Sequence, residues 1–504
     1  MPRRPFTREQ VYLLPPSLDE WLPDDHPVRY VAMFVASLPQ STWQELGVHP
    51  DGAALGAPAY DPQLLLSVWL AGFMCGIRSS RGLEAACRDQ IPFRWLTGNQ
   101  LPDHNTLWRF YHSHRAGMQA LLRQTVRTAV VAGLVDLALV AVDGTVVSAN
   151  ARRSRTLDED GLAGLLARAE QLRERVEQAL AQVQATDGPR QVNVTDPDAT
   201  LRKGRHGWQV GYMAQAASTP LLPPPSPEAE QAARLRAPGG QLLVAAAVAA
   251  SNDLPSHLLP LVEAAVEAVG WEPGVVLADS AFHSSAVLAA CQARGQCVVL
   301  PESQPPTPEQ PYHKDFFAYD PAADTYTCPH GQLLTFRGTA RRPDGVTVRR
   351  YRVQPKVCRG CPAFGVCTRN QRHGRIVEVS EHEAALRAHR VWMEDEQAQA
   401  LGRRRKAIVE PPFGVLKERQ SFRRVLLRGL PQVQAEWTLG ATAYNLRVLA
   451  RQWQAGRIDP SGVGAAAPRT AVPEDFSTRV RRGLGRRQRR QRTQQCQSSH
   501  RRTG

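Results

Sequence analysis

The stretch LALVAVDGTVVSANA, residues 137–151, predicts where an α/β part of the chain begins. Its first six residues are apolar and include valines, which favours a buried strand, and the apolar run ends on Asp143. Small residues that form turns, Gly144 and Thr145, follow this acid. An acid in this place is either an ordinary turn or helix-capping residue, or part of a site, because α/β sheets bind ligands at the carboxyl ends of their strands.

The chain before this strand is predicted to be helical. Residues 24–133 carry apolar side chains at helical spacing, and helix starts are marked by Asp61, by Ser79 or Ser80, and by Asp103. Short helices joined by tight turns fit a helix-turn-helix-like DNA-binding unit and a plain helical bundle equally well. The pattern does not choose between the two.

After residue 151 the pattern predicts a mixed sheet with helices on both faces. Residues 156–186 indicate one charged helix, and residues 206–219 and 240–253 indicate two strands of a hairpin. The proline-rich insertion at 219–240 indicates a mobile loop. Strand and helix then alternate, which predicts parallel strands beside the antiparallel hairpin; the segments are a helix at 256–269, a strand at 274–280, a helix at 283–294 and a strand at 296–301.

Two further acids occupy positions that fit a functional site. Asp279 ends the predicted strand GVVLAD, and Glu410 lies within RRRKAIVEPPFGVLKERQ, among basic residues. Taken singly, each acid has an ordinary interpretation as a cap, a turn residue or a surface ion pair. Three carboxylates that converge with Asp143 would repel each other unless cations neutralise them, and Mg²⁺ prefers such oxygen ligands. The basic residues around Glu410 would then hold a phosphate backbone, although they also fit a solvated helix face.

Four cysteines lie close together in the chain, at Cys328, Cys358, Cys361 and Cys367. No segment resembles a signal peptide, so these thiols are interpreted in a reducing cytosol, where metal binding is commoner than disulfides. The set suits a tetrahedral zinc site. The alternative is a reduced cluster without metal.

Charge points to a polyanionic partner. The formal net charge is +15, and residues 477–504 contain ten arginines and no acid. A tail of this composition is predicted to be disordered and to contact nucleic acid without sequence preference. Since no apolar run reaches the length of a membrane span, the sequence predicts a cytoplasmic protein.

Five segments in this order resemble the DDE transposases of bacterial insertion sequences. They are YDPQLLLSVWLAGFMCGIRSSRGLEAACRDQIPFRWLTG with PDHNTLWRFYHSH, AVDGTVVSANA, NVTDPDATLRKGRHGWQVGYMAQAA, LADSAFHSS, and VEPPFGVLKERQSFRRVLLRGL with EWTLGATAYNLRVL. The resemblance implies an α/β fold with an RNase H-like mixed sheet flanked by helices, an all-α N-terminal domain and a small cysteine-rich insertion. It implies that Asp143, Asp279 and Glu410 are catalytic and bind two Mg²⁺ or Mn²⁺ ions.

The resemblance also implies a domain order. Its parts are an N-terminal helical DNA-binding domain at 1–133, the first part of the catalytic core at 134–301, the cysteine-rich insertion at 302–372, the core helices that carry the glutamate at 373–455, and the basic tail at 456–504.

The implied activity is metal-dependent cleavage at the ends of an insertion sequence, followed by transfer of the 3′-hydroxyl strand into target DNA. The implied partners are double-stranded DNA, both terminal inverted repeats and target, and a second copy of the chain, at the bacterial nucleoid. The predicted DNA contacts are Arg403, Lys406, Lys417, Arg424 and Arg428. Arg403 and Lys406 stand where relatives often have tyrosine and arginine, which puts fine DNA positioning in doubt. The alternatives are a decayed transposase that only binds DNA, and a nuclease without strand transfer.

Overall fold

The computed structural model describes most of the chain, which divides into two compact units. The described residues are 17–48, 59–166, 173–185, 191–204, 207–223, 240–250, 254–303, 311–320, 322–342 and 346–459. Those of the first unit fall within Met1–Asn252, Pro260–Pro273 and Lys406–Glu474, and those of the second within Asp253–Leu259 and Gly274–Arg405. Most of the proline-rich insertion, 224–239, and residues 460–504 of the predicted tail lie outside the described residues.

Helices fill the N-terminal part of the first unit, as the sequence predicts. They are α1 (Leu18–Trp21), α2 (Pro27–Ala36), α3 (Gln40–Glu45), α4 (Pro62–Cys75), α5 (Ser80–Asp89), α6 (Ile91–Leu96), α7 (His104–His114) and α8 (Met118–Val131). The predicted caps are confirmed: the side chains of Asp61, Ser79 and Asp103 accept backbone hydrogen bonds in the first turns of α4, α5 and α7. Helix α4 is buried from Leu65 to Met74, so it forms the centre of this helical part.

The first sheet follows, and strand β5 is its longest member. The elements are β1 (Leu139–Ser148), β2 (Thr156–Leu157), α9 (Glu159–Leu166), α10 (Arg173–Gln184), β3 (Val192–Asn193), β4 (Thr200–Gly204), β5 (Gly207–Pro220) and β6 (Gln241–Ala249). Strand β5 pairs antiparallel with β1, with β4 and with β6. The β5–β6 pairing confirms the predicted hairpin.

Two local predictions are wrong. The strand does not end at Asp143 but runs to Ser148, because Thr145, Val146 and Val147 are β-branched and continue the pairing with β5. The charged segment 156–186 is not one helix, since α9 and α10 pack antiparallel.

The α9–α10 pair buries an apolar core that a single helix would leave exposed. Its members Leu162, Val176 and Ala179 are fully buried. The Gln184 amide at the end of α10 donates to Glu159 at the start of α9, 2.8 Å away. Strand β2 pairs with β3 beneath this pair of helices. Folding back therefore gives both apolar faces a partner.

The next elements bring the chain into the second unit. They are α11 (Pro255–Val269), β7 (Val275–Leu277), α12 (Ser285–Ala293) and β8 (Cys297–Val299). Strands β7 and β8 pair in parallel, which confirms the predicted strand-helix-strand succession.

The cysteine-rich segment forms an antiparallel sheet of its own. Its elements are β9 (Ala318–Asp320), β10 (Thr325–Thr327), β11 (Leu333–Arg341), β12 (Thr347–Arg352), α13 (Pro355–Arg359) and β13 (Ile376–Ser380). The strands pair in the order β13-β12-β11-β10-β9 around a small core that contains Phe317, Tyr326 and Tyr351. Strand β13 pairs with β12 although it follows residue 372, where the sequence places the end of the insertion. The domain boundaries stay predictions.

Three helices complete the described chain: α14 (Glu383–Met393), α15 (Glu396–Glu418) and α16 (Leu430–Gln454). Helix α16 is buried along most of its length and packs on β6, α8, α4 and α2. Two of its amides bond to the backbone of β6: Asn445 to Leu243, and Gln434 to Val248 and Ala246. These amides satisfy strand groups that a neighbouring strand would otherwise pair.

The N-terminus of α16 is held by two acids from the segment NVTDPD. Asp196 accepts a hydrogen bond from the Gly429 N–H at 3.0 Å, and Asp198 accepts one from the Leu430 N–H at 2.7 Å. Negative side chains are favourable at this end of a helix. Asp196 also accepts a 2.7 Å hydrogen bond from the Tyr212 hydroxyl, and burial raises the pKa of Asp196. These acids therefore fix where α16 begins.

The fold class is confirmed. The chain is α/β, with an all-α N-terminal part, antiparallel and parallel strand pairs and helices around them, in agreement with the predicted mixed sheet flanked by helices.

Candidate active site and cysteine centre

Asp143 lies in the middle of β1, opposite Ala216 of β5. Its carboxylate is partly exposed and accepts a 2.7 Å hydrogen bond from the N–H of Gly144. Because side chains alternate along a strand, Asp143 shares a face of the sheet with Ala141 and Thr145. This is the face on which the helix of Glu410 lies.

Glu410 is exposed on α15 and is followed directly by two prolines. Pro411 and Pro412 have no N–H, so they leave the carbonyls of residues 407 and 408 without a helical donor. The sheet supplies the donors: Gln241 bonds the Ala407 carbonyl at 3.0 Å, and the Ser218 hydroxyl bonds the Ile408 carbonyl at 3.1 Å. The prolines beside Glu410 thus create the attachment points that fix its helix to β5 and β6.

A second attachment joins the same helix to β1. The Lys417 ammonium donates to the hydroxyl of Thr145, two residues after Asp143. Burial chiefly, and the nearby Arg423 secondly, lower the pKa of Lys417.

The two attachments set the level of Glu410 along β1. Ser218, which bonds Ile408, pairs across the sheet with Ala141. From residue 408 to 417 the helix rises about 14 Å, and from 141 to 145 the strand rises about 13 Å, so the two run side by side. Glu410, two helical residues past Ile408, therefore lies about level with Val142. The structure thus places Asp143 and Glu410 on the same side of β1 and at a similar height.

Asp279 belongs to the second unit and lies two residues beyond β7. Its partly exposed carboxylate accepts a 3.0 Å hydrogen bond from the Ala281 N–H and caps the short 3₁₀ turn Ser280–Phe282. The Phe282 ring is fully buried and anchors this turn. The capping interpretation therefore holds for Asp279.

The predicted DNA-contact residues occupy two places. Arg403 and Lys406 are exposed on α15. Arg424 and Arg428 are exposed in the segment between α15 and α16. Arg424 donates a 3.1 Å hydrogen bond to the side-chain oxygen of Asn150, and Arg428 donates a 2.9 Å hydrogen bond to the Asn150 carbonyl. The backbone of residues 423–425 also bonds to Ser148 at the end of β1. Arg424 and Arg428 thus lie beside the strand that carries Asp143.

The four cysteines line one small cavity of about 30 Å³ in the second unit. Backbone N–H groups of Gln332 and Arg375 point at the sulfurs of Cys328 and Cys358, at 3.3 and 3.4 Å. Burial raises the pKa of the Cys367 thiol; the nearby Arg375 opposes this rise, and the other three cysteines add to it.

A glycine next to these thiols leaves room for Cys358. A Cβ on Gly374 would lie 2.9 Å from the Cys358 sulfur, and the φ of +67° also favours glycine there. The N–H groups near the cysteine sulfurs suit thiolates, and the cavity is large enough for one metal ion. Nevertheless, across the described ranges no three His, Cys, Asp or Glu side chains are arranged to hold a metal ion.

Sequence reasoning missed a buried ion pair in the first unit. Arg78 and Glu436 lie 2.7 Å apart, with side chains 5% and 2% exposed. Single charged residues at unrelated positions carry no periodicity, so the pair had no signal in the sequence. Thr145, Gln241 and Ser218 were missed for the same reason: their roles exist only through partners far along the chain.

Within the described part of the chain, none of the helices has both the length and the apolar character that crossing a bilayer requires.

Two family matches cover the helical part and the region of the cysteines and Glu410. Residues 16–113 match the family described as Transposase domain (DUF772), and residues 327–450 match the family described as Transposase DDE domain. The second match contains Glu410 and the four cysteines, whereas Asp143 and Asp279 precede it. No curated protein matches the chain significantly. Members of the DDE family generally use divalent metal ions and act on DNA. Two parts of the chain thus match transposase domains, in agreement with the resemblance to the DDE transposases of insertion sequences.

Proposed function

We propose that this transposase cleaves DNA at the ends of an insertion sequence and joins the freed 3′-hydroxyl to target DNA. The observation that carries the proposal is the attachment of the Glu410 helix to the sheet that contains Asp143, through Ser218 of β5, Gln241 of β6 and the bond from Lys417 to Thr145 of β1. A helix fixed in this way holds the Glu410 carboxylate at a similar height along β1 to the Asp143 carboxylate. A noncatalytic DNA-binding protein has no need for that arrangement.

The proposed catalytic residues are Asp143, Asp279 and Glu410. Their carboxylates would hold two Mg²⁺ or Mn²⁺ ions, and bound ions would supply Lewis-acid activation of an attacking oxygen and stabilisation of the leaving oxygen of a phosphodiester. Asp143 is partly exposed and Glu410 is exposed, so DNA can reach both carboxylates. Water adds to phosphorus and the P–O3′ bond breaks, which releases a 3′-hydroxyl. That hydroxyl then attacks a target phosphodiester and displaces a second 3′-oxygen.

The proposed DNA contacts follow from charge. Arg403, Lys406, Lys417, Arg424 and Arg428 hold phosphates around the scissile bond, and the helices α1–α8 bind the terminal inverted repeats. Two copies of the chain hold the two element ends, and the protein works at the nucleoid in the bacterial cytoplasm. Lys417 combines a phosphate contact with its hydrogen bond to Thr145.

We also propose that Cys328, Cys358, Cys361 and Cys367 bind one structural zinc ion. The shared cavity, the N–H groups that point at two sulfurs and the space left by Gly374 support this proposal. Zinc would reverse the upward pKa shift of Cys367 by favouring its thiolate.

The test is a Mg²⁺-dependent cleavage and strand-transfer assay on duplexes that carry the inverted repeats flanking the coding sequence. We expect Asp143→Asn, Asp279→Asn and Glu410→Gln each to abolish cleavage and joining while DNA binding persists. Asp89→Asn is the control, because Asp89 is exposed and pairs only with its neighbour Arg88 in the described structure.

Each alternative has its own outcome in this assay. Binding without cleavage by the unaltered protein would identify a decayed transposase. Cleavage without joining would identify a nuclease. Full activity in Asp143→Asn would remove that residue from the mechanism.

A further inference from the structure

The arginine segment, residues 421–429 between α15 and α16, is held by side chains from other parts of the chain. Since these residues, all of them described by the structure, form neither a helix nor a strand, their backbone groups need other partners. Arg78 donates a 2.7 Å hydrogen bond to the Arg424 carbonyl, and Glu436 accepts hydrogen bonds of 3.0 and 3.1 Å from two N–H groups of the segment. Because Arg78 and Glu436 are themselves a buried ion pair, this support is rigid.

The residues at the end of β1 bind the arginine segment as well. Ser148, the last residue of β1, exchanges backbone hydrogen bonds of 3.0 and 2.9 Å with Arg423 and Val425. Shortly after it, the side-chain nitrogen of Asn150 donates a 2.8 Å hydrogen bond to the Leu426 carbonyl. Asn150 therefore connects the strand that carries the candidate catalytic aspartate to the arginine segment.

Asn150 also binds the two exposed arginines of the segment. Its side-chain oxygen accepts a 3.1 Å hydrogen bond from Arg424, and its carbonyl accepts a 2.9 Å hydrogen bond from Arg428. Arg423 differs from both, because it forms an ion pair with Glu418. An amide oxygen orients a guanidinium without neutralising its charge, and the guanidinium keeps further N–H donors for another partner. Asn150 thus fixes an arginine and leaves its positive charge available to an anion.

The position of Arg424 along β1 indicates which anion it meets. Arg424 forms a β-bridge with Ser148 at the end of β1, whereas Asp143 lies in the middle of that strand. The strand rises about 17 Å between the two residues. An arginine side chain does not span that distance, so Arg424 cannot hold a phosphate that reacts at Asp143. Its fork of donors suits a phosphate of the neighbouring DNA.

We propose that Asn150 is a positioning residue that orients the Arg424 guanidinium toward a phosphate of the DNA flanking the reacting bond. The inference rests on the proposed function, because it takes Arg424 to be a DNA contact. It adds how that contact is made. The amide fixes the arginine before DNA arrives, so less conformational entropy is lost when the phosphate binds.

The test separates loss of charge from loss of orientation, through titrations of the full chain with a duplex of unrelated sequence at several salt concentrations. Arg424→Gln removes a charge, so the affinity should fall and the slope of log K against log salt should become shallower by about 0.9. Asn150→Ala leaves the charge and frees the side chain. Its affinity should fall about twofold to tenfold, while its slope stays that of the unaltered protein.

A double variant gives a readout that a merely structural role would not give. In the Arg424→Gln background, Asn150→Ala should cost little further affinity, since the side chain that it orients is absent. The matched control is Asn99→Gly, because Asn99 also accepts hydrogen bonds from an arginine, Arg94, and its φ of +65° suits glycine. Asn99→Gly should change the affinity by the same factor in both backgrounds.

A second substitution keeps the size of the side chain. Asn150→Asp adds a charge that pairs with Arg424, so both the affinity should fall and the salt slope should become shallower. Full affinity in Asn150→Ala or in Arg424→Gln would overturn the positioning role, and so would an Asn150→Ala effect that is equal with and without Arg424.

The duplex cleavage assay is read separately from these titrations. Coupled effects of Asn150 and Arg424 on binding, without cleavage by the unaltered protein, would remove only the proposed function. Cleavage by a protein in which the two effects are independent would remove only the positioning role.

Discussion

At the scale of single residues, a buried histidine makes the second unit sensitive to acid. His389 on α14 is 8% exposed, and burial chiefly, then the nearby His283, lowers its pKa to about 4. An unfolded histidine has a pKa of about 6.5. Between about pH 4 and pH 6.5 the folded state therefore binds fewer protons than the unfolded state. The stability that His389 confers is complete above about pH 6.5 and is lost as the pH falls through about 4.

We therefore expect unfolding to become easier by up to about 3 kcal/mol between neutral pH and pH 4 through this group alone. His389→Gln should reduce the pH dependence, measured by urea unfolding of the second unit at a series of pH values. His330→Gln is the control, because His330 is exposed. An unchanged pH dependence in His389→Gln would show that the imidazole is not held neutral.

At the scale of elements, α13 and the loops around it contain cysteines through which the zinc proposal can be tested. Cys358 lies on α13 and Cys361 follows it, while Cys328 follows β10. We expect the purified protein to contain one zinc ion per chain and Cys358→Ser to lose it, because removal of one thiolate opens the tetrahedral site.

Metal analysis and thermal unfolding measure this outcome, and a chelator should lower the melting temperature of the unaltered protein but not that of Cys358→Ser. Cys75→Ser is the control, since Cys75 is exposed on a different element. A protein without zinc, or zinc retained by Cys358→Ser, would contradict the proposal.

At the scale of the whole molecule, the charge of the chain is concentrated at one end. Residues 477–504 hold ten arginines and no acid. Deleting them should weaken binding to duplexes of unrelated sequence. The dependence of log K on log salt should become shallower by about 0.9 for each phosphate that the shortened chain no longer neutralises.

Binding titrations over a range of salt concentrations measure this slope. The same chain with these arginines changed to glutamine keeps the length and separates charge from chain extension. If the slope stays the same in both variants, the tail does not contact phosphates.

Local sequence determined much of this protein. Helix caps at Asp61, Ser79 and Asp103, the β5–β6 hairpin and the strand-helix-strand succession could be predicted, because each depends on neighbours within a few residues. The candidate catalytic acids, Asp143 and Glu410 among them, could be named as well, through the order of motifs that resemble transposases. The length of β1 was mispredicted, since its continuation to Ser148 depends on its partner β5.

Only the tertiary structure decided what holds Glu410 beside the strand of Asp143. The carbonyls that Pro411 and Pro412 leave free take donors from Ser218 and Gln241, about 170 to 190 residues earlier in the chain. The Arg78–Glu436 pair is likewise a product of packing. The physical reason is the same in each case: a polar group's partner is chosen by distance in space, and a sequence records only distance along the chain.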